Sequence, residues 1–434
     1  MKTINLIKVV KNILLSLKPY NLYVYIKRQS IEKKLNNLFL KFNKNNYFEG
    51  TVLVDGTFDN PNYWFRYTLL KSALNFSDCS QKGIIGKYNK SKVRKTFKNF
   101  GVKNFYNFYS LVDNKKINKK SRELYNFLRK EKKIDKLKLP YDFPKEIFYD
   151  GLLRRQRLGT VNYSHKDLEL HIKEFLICLE NARQLIQNSK PKLLVLSHAV
   201  NFDCGSLAWF ALKYNISTVV IYGEYGSLRF WKPSKSNKLF MCGNFISLEE
   251  IKKLNKSKQI ELEKVGENYL TKRLSAQVKD IGAKTAFNNM KKVTRKDICK
   301  KFNWDYKKKI IAIYSVSWID FPHLHGKNLF VDSGKWMETT LKTIFKNKNI
   351  NWIIKRHPLE KHYSSENIDD FFQKKIPKNI KFYPENWGGN SLLSNIDGLV
   401  TFNGTAAIEA ASLNKIVLTG TKGWYGDCEF VLYP

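Results

Sequence analysis

Residues 398–420 run Gly-Leu-Val-Thr-Phe-Asn-Gly-Thr-Ala-Ala-Ile-Glu-Ala-Ala-Ser-Leu-Asn-Lys-Ile-Val-Leu-Thr-Gly. The apolar runs Leu399 to Phe402 and Ile416 to Leu418 are too short for helices and read as buried strands. Between them, Ala406 to Leu413 is a helix-forming segment entered through a turn at Asn403-Gly404-Thr405. Strand, glycine turn and helix in this order build an open α/β sheet, whose ligands bind at the carboxyl ends of the strands. The helix start also leaves backbone N–H groups and a positive dipole end facing outward, ready for an anion.

A second stretch, Asn351-Trp-Ile-Ile-Lys-Arg-His-Pro358, is a strand ending in a basic cluster, and Pro358 cannot continue its ladder. His357 is expected at the same sheet edge, with Lys355 and Arg356 beside it. Glu409, four residues beyond Thr405 on the same helix face, is placed to accept from a ribose hydroxyl. Together these residues describe a pocket for a nucleotide mono- or diphosphate. Taken singly, each has a plainer role: His-Pro as a strand end, Asn-Gly-Thr as a helix cap. No Gly-x-Gly-x-x-Gly and no Gly-x-x-x-x-Gly-Lys-Ser/Thr occurs, which excludes the usual dinucleotide and P-loop fingerprints.

The chain of 434 residues is long enough for two or three domains. Thr51 to Asp55 is a first strand halted by Gly56, and Asn60-Pro61 signals a helix running to about Leu74. Gly83-Ile-Ile suits a second strand, and residues 88–140 read as helix and loop. Lys166 to Gln187 is a long helix with Leu170, Phe175 and Leu179 inward. Leu193 to Leu196 and Val219 to Tyr222 are strands around a helix near Leu207 to Tyr214. Ile310 to Ser315 opens another α/β unit, whose helix, about Lys335 to Phe345, leads to the strand before His357. The expected division is a basic amphipathic helical segment over 1–44, a doubly wound domain over 45–240, a helical connection over 241–305 and a second α/β domain over 306–434.

The His357-Pro358 element after Trp-Ile-Ile-Lys, and Asn403-Gly404-Thr405 with Glu409, Lys-Ile-Val-Leu and Trp424-Tyr425-Gly426, resemble the capsular polysaccharide biosynthesis family. Trp318-Ile-Asp-Phe-Pro-His323 with Trp336, and Ser197-His-Ala-Val-Asn-Phe-Asp-Cys-Gly205, fit the same family. The resemblance runs from about residue 50 to the last residue. It implies a GT-B-like fold of two Rossmann-like domains facing across a cleft, and glycosyltransferase activity, in some members transfer of Kdo from a CMP-activated donor. It also implies catalysis without metal, the nucleotide-sugar being a substrate and no cofactor being needed. A GT-B domain normally closes with further helices, so this chain is expected to lack its final ones. The alternatives are a CDP-glycerol-type polyol-phosphate transferase, which shares a His-Pro element, and a non-catalytic capsule-assembly binding protein.

Glycosyl transfer requires stabilisation of the departing phosphate. Lys355, Arg356, His357 and the N–H groups of Gly404 and Thr405 can supply it. Acid spacing does not favour a metal, and His323 and His325 suit donor-side hydrogen bonding. An inverting transfer needs a base, for which Glu224, between Gly223 and Gly226, stands first and Asp55 second, with Asp203 and Asp320 behind them. Ser197 and His198 are further candidates at the acceptor or donor side.

A net charge of +39 invites a nucleic-acid reading. Its distribution argues otherwise: residues 351–434 carry nine Lys/Arg and nine Asp/Glu, residues 82–140 carry 19 and 4, and residues 1–50 carry 10 and 2. With no RNA-binding aromatic signature, the basic segments suit an anionic membrane surface or an acidic, lipid-linked glycan. Residues 3–17 place Leu6, Val10, Ile13, Leu14 and Leu17 on one helical face with lysines opposite, which suits either a helix lying on a membrane surface or one packed on its own domain. Six scattered cysteines and no secretory signal point to a reducing cytoplasm, at the inner face of the membrane.

Overall fold

The computed structural model describes residues 50–58, 63–64, 80–99, 101–109, 114–222, 229–231, 248–278, 287, 291–325, 328–358, 360, 365–372, 375–423 and 425–433. The amphipathic segment over 1–44, most of the helix expected after Asn60-Pro61, Glu224 and Trp424 lie outside them.

The first unit contains β1 (Thr51–Gly56), β2 (Ser80–Ile85), α1 (Lys90–Asn99), β3 (Asn104–Asn107), α2 (Asn114–Glu131) and α3 (Lys145–Gln156). It continues through α4 (Leu168–Ser189), β4 (Leu193–Leu196), α5 (Phe202–Lys213), β5 (Ser217–Tyr222) and β6 (Arg229–Trp231). The sheet order is β3-β2-β1-β4-β5-β6, parallel except for β6. Apolar side chains alternate between its two faces. Leu53, Ile84, Leu194 and Leu196 join the helices α2 to α5, while Val52, Val54, Ile85 and Val195 join Val93 and Phe97 of α1. Both faces are covered, as a buried parallel sheet requires. The region read as helix and loop contains β3, a half-exposed edge strand whose polar Asn ends hid it. Leu170 is 63% exposed, and Leu168 and Ile172 take the inward positions of α4 instead.

The second unit is entered through α6 (Lys256–Leu274), whose N-cap Asn255 accepts from the Lys258 N–H at 2.9 Å, and α7 (Arg295–Phe302), closed by a Thr294–Asp297 capping box. Next come β7 (Ile310–Tyr314), α8 (Ser333–Lys346), β8 (Asn351–Lys355), β9 (Ile380–Phe382), α9 (Gly389–Asn395), β10 (Gly398–Thr401), α10 (Ala406–Ser412) and β11 (Ile416–Thr419). Their order is β11-β10-β7-β8-β9, all parallel. Ile298 and Cys299 of α7 pack with Ile310, Ala312, Ile353 and Leu399, so α7 covers one face of this sheet. Trp336, Met337 and Leu341 of α8 cover the other.

Counted from its own first strand, each sheet runs outward through its second and third strands on one side and its fourth and fifth on the other. That is the doubly wound Rossmann order, and its reversal points lie between β1 and β4 and between β7 and β10. The fold is therefore α/β with two Rossmann-like units, as expected.

Helix α3 and the turn after it join the two units. The Tyr149 hydroxyl donates to Asp332 at 2.5 Å and the Thr160 hydroxyl donates to the same carboxylate at 2.9 Å. Asp332 is also the N-cap of α8, accepting from the Lys335 N–H at 2.8 Å. The Gly159 N–H donates to Glu366 at 2.7 Å, and the Gly334 N–H to the Gly159 carbonyl at 3.0 Å. No side chain fits at Gly334: a Cβ there would lie 2.4 Å from the Thr160 Oγ1 and 2.7 Å from the Gly159 carbonyl carbon. Gly334→Ala should therefore push the 159–160 turn off α8 and destabilise the protein by about 1–3 kcal/mol, read by denaturant unfolding.

Candidate functional site

At the second reversal point the strand ends are level. Thr401 pairs with Tyr314, and Tyr314 with Lys355, so β10, β7 and β8 end side by side. The loops that follow carry Asn403-Gly404-Thr405, Ser315 to Asp320 and Arg356-His357 respectively. The His357 N–H donates to the Ser315 hydroxyl at 2.7 Å, tying two of these loops together. The structure thus gathers at one sheet edge the residues that the sequence placed together.

Their individual roles differ. Lys355 lies 5.4 Å from the Tyr314 ring centroid. Burial pushes its ammonium below the ordinary lysine pKa, partly offset by Glu409, and it forms no ion pair among the described residues. The Tyr314 hydroxyl is buried and has no hydrogen-bond partner among the described residues. Burial lowers the His357 imidazole as well, with Asp320 opposing and Lys355 reinforcing the shift. A neutral ring there offers one donor and one acceptor nitrogen.

Arg356 turns to a different task. Its guanidinium forks onto the Asp369 carboxylate, Nη2 lying 2.7 Å from Oδ1, and rests 4.2 Å from the Phe382 ring centroid. Glu409, expected at a ribose hydroxyl, is buried, and its Oε1 accepts from Arg273 Nε at 2.6 Å. Arg273 also donates to Thr405 Oγ1 at 3.3 Å, so α6 pins the turn at the start of α10. The sequence offered no signal for Arg273, a cation 136 residues before its partner in a stretch read only as a connection.

At the first reversal point Asp55 is 1% exposed. Its Oδ1 accepts from the Thr57 N–H at 2.7 Å and hydroxyl at 2.6 Å; its Oδ2 accepts from the Ser197 hydroxyl at 2.9 Å and N–H at 3.3 Å and from the Cys204 thiol at 3.3 Å. These donors occupy the carboxylate's lone pairs and leave little for a substrate hydroxyl. Asp55 and Ser197 are therefore brought together, as a buried brace between β1 and β4. Burial pushes Asp203 up and Cys204 well up. Next to this brace, the His198 ring lies 4.5 Å from Phe58 and 5.0 Å from Tyr63, centroid to centroid.

His323, a candidate for the acceptor or donor side, meets the first unit. Its Nδ1 lies 2.6 Å from Asp150 Oδ1 of α3, and its N–H donates to Oδ2 at 3.2 Å. Asp150 escaped the sequence reading because a lone acid inside an apolar helix carries no pattern, whereas Asp332, before Ser-Gly-Lys, had the form of an N-cap. Asp320, also in this loop, is exposed.

Residues 244–427 match a family described as "Capsule polysaccharide biosynthesis protein". The match covers less than half of the chain, within its C-terminal part. A Thermosulfurimonas dismutans KpsC beta Kdo 2,4 transferase is similar at 14% identity, with 56% of this chain and 73% of that one covered and a TM-score of 0.35. The beta Kdo 2,7 transferase of the same organism's KpsC is similar at 16% identity over 59% of this chain and 74% of that one, with a TM-score of 0.31. A UDP-GlcNAc 2-epimerase of Methanocaldococcus jannaschii, in complex with UDP-GlcNAc and UDP, is similar at 13% identity over 89% of each chain, with a TM-score of 0.30. No curated protein matches. The Rossmann-like reading rests on the strand orders themselves.

Two outcomes follow from these buried charges. Arg273→Met strands the Glu409 charge in the interior and should cost about 3–5 kcal/mol in denaturant unfolding, with Arg273→Met/Glu409→Gln recovering much of it. The second concerns pH. Burial opposes charge on His323, but the Asp150 carboxylate outweighs it and holds the ring above its ordinary pKa; burial also pushes Asp150 up, against His323. Both folded values exceed the unfolded ones. Stability from the pair is thus fully present at low pH, and is lost first as Asp150 ionises above about pH 4 and then as pH rises from about 6.5 through the raised His323 value. Melting followed from pH 5 to 9 should show this fall in the parent and a flatter profile in Asp150→Asn/His323→Gln, which removes both titrating groups.

Proposed function

We propose that this protein is a glycosyltransferase of capsule or surface polysaccharide synthesis, moving a sugar from a nucleotide-activated donor to a glycan or lipid-linked acceptor. The observation that carries the reading is Lys355, a partly buried ammonium at the end of β8 with no ion-pair partner among the described residues. A buried cation costs several kcal/mol unless an anion meets it. A nucleotide phosphate at the level ends of β8, β7 and β10 would meet it, with His357 donating from one side and the Gly404 and Thr405 N–H groups from the other. Charge on the departing phosphate is then stabilised by the protein's own groups, and the proposed transfer needs no metal.

The favoured donor is a CMP-activated acidic sugar such as Kdo, in keeping with the family. In this reading Arg356, through Asp369 and Phe382, and Glu409, through Arg273, hold the pocket's walls, and Asn403 shapes its turn. For the acceptor hydroxyl, Asp320 is the exposed carboxylate beside His357, Glu224 stays a candidate base and Asp55 positions Ser197. The exposed lysines of α1 and α2 support a position at an anionic membrane surface, in this reading the cytoplasmic face, beside a lipid-linked acceptor. No helix among the described residues is long and apolar enough to cross a membrane.

Titration calorimetry with CMP, CDP, UDP and GDP tests the reading. Lys355→Met should weaken the preferred nucleotide by roughly 10- to 100-fold, and His357→Ala should also weaken it, while thermal melting stays near the parent. Parental affinity in both variants would move the pocket elsewhere. CDP preferred, with polyol-phosphate transfer, would favour the CDP-glycerol-type alternative, and no nucleotide binding by the parent would favour a binding protein.

A further inference from the structure

The turn after α3 and the first residues of α4 hold a cluster that the proposed transfer does not use. His165, Asp167 and His171 each present a ligand atom within 4.8 Å of the other two, and all three residues are partly exposed. The imidazoles tilt 35° apart with centroids separated by 5.6 Å. His165 Nδ1 accepts from the Asp167 N–H at 3.1 Å, which leaves Nε2 as its outward nitrogen.

Two details separate this group from a chance meeting of surface side chains. Asp167 occupies the N-cap of a 22-residue helix, yet its carboxylate caps no backbone N–H. An aspartate at that position ordinarily accepts from the first turn; here it is turned to the histidines. His171 Nε2 is buried and has no hydrogen-bond partner among the described residues. A buried, unpaired ring nitrogen costs free energy that a metal bond would offset. Glu174, one turn further along α4, is not a ligand, because Arg155 grips both of its oxygens at 3.0 Å.

We propose that His165, Asp167 and His171 bind a divalent transition-metal ion, Zn²⁺ foremost. Two imidazoles and one carboxylate suit zinc, with water in the fourth position. In a tetrahedron with metal–nitrogen bonds of about 2.0–2.1 Å the ligand atoms lie about 3.3 Å apart, within reach of small side-chain rotations from the present spacing. The backbone is already set for it: the His165 N–H donates to the Asn162 carbonyl at 3.0 Å, and the His171 N–H to the Asp167 carbonyl at 3.0 Å. The same turn begins with Gly159 and Thr160, which grip the second unit. A metal here ties that turn to α4, so its role is to brace the contact between the two units and not to take part in transfer.

The full-length chain, freed of metal by a chelator, is titrated with Co²⁺ followed by its visible d–d absorption, then with Zn²⁺ in competition. The expected result is one saturable site per chain. His165→Ala and His171→Ala should each weaken it on the order of 100-fold, and Asp167→Asn on the order of 10-fold. Zn²⁺ should raise the melting temperature of the parent and leave that of His165→Ala/His171→Ala unchanged. Far-UV circular dichroism checks that each variant is folded, and Asp167→Asn, the mildest change, stands in if a histidine variant is not. Equal Co²⁺ uptake by the parent and the double variant overturns the proposal, as does a parent that takes up none.

Discussion

The carboxylate of Asp332 is the joint on which the two units depend. It receives a hydroxyl from α3, a hydroxyl from the turn after α3 and a backbone N–H from its own helix. A buried carboxylate must be met on most of its lone pairs, and here those donors come from both units. Burial pushes Asp332 up even so, with Tyr149, Lys335 and Thr160 pulling it back. Because α8 begins at this residue and leads directly into β8, whatever fixes Asp332 also sets where Lys355 and His357 stand relative to the first unit.

Each reversal point follows from the same strand order but is used differently. Between β1 and β4 the crevice is closed by a carboxylate bound to its own protein through Thr57, Ser197 and Cys204. Between β7 and β10 lies the Tyr314 hydroxyl, without a hydrogen-bond partner among the described residues, and Lys355 at the end of neighbouring β8 rests over its ring. The contrast sets a structural brace at the first against the proposed nucleotide pocket at the second.

Much of this was legible in the sequence. Short apolar runs located β1, β4, β7, β8 and β10, because a strand buried on both faces has no alternation to confuse with a helix. The Asn-Gly-Thr turn and the His-Pro end were brought to one edge because the strands they terminate, β10 and β8, both run parallel to β7 and flank it. What escaped was the pairing of charges over long distances. Nothing local says that Arg273 meets Glu409 within the second unit, or that Asp150 meets His323 between the units, because such pairs exist only once distant segments have packed. Asp55 misled for a related reason: an acid beside glycine at a strand end reads alike whether it faces a substrate or its own protein's hydroxyl groups. Leu170 misled through period alone, since a helix whose apolar stripe is wide tolerates one leucine on the wrong side.

The parallel sheets also dictate an order of events during folding. The contact between Asp55 and Ser197 closes a loop of 142 residues, and the contacts of Gly159 with Glu366 and Thr160 with Asp332 close loops of 207 and 172. Bringing such distant segments together loses chain entropy before any contact compensates, so proteins of this kind fold slowly. On a ribosome, β1 and β2 must wait for β4 before the first sheet can be completed, and the docking surface on α3 waits longer still for Asp332. Throughout that interval Tyr149 and Thr160 have no carboxylate to meet, and the apolar strand edges stand open. The nascent chain is therefore most vulnerable to self-association between the synthesis of β1 and of β4, the stretch in which a chaperone would have the largest effect on yield.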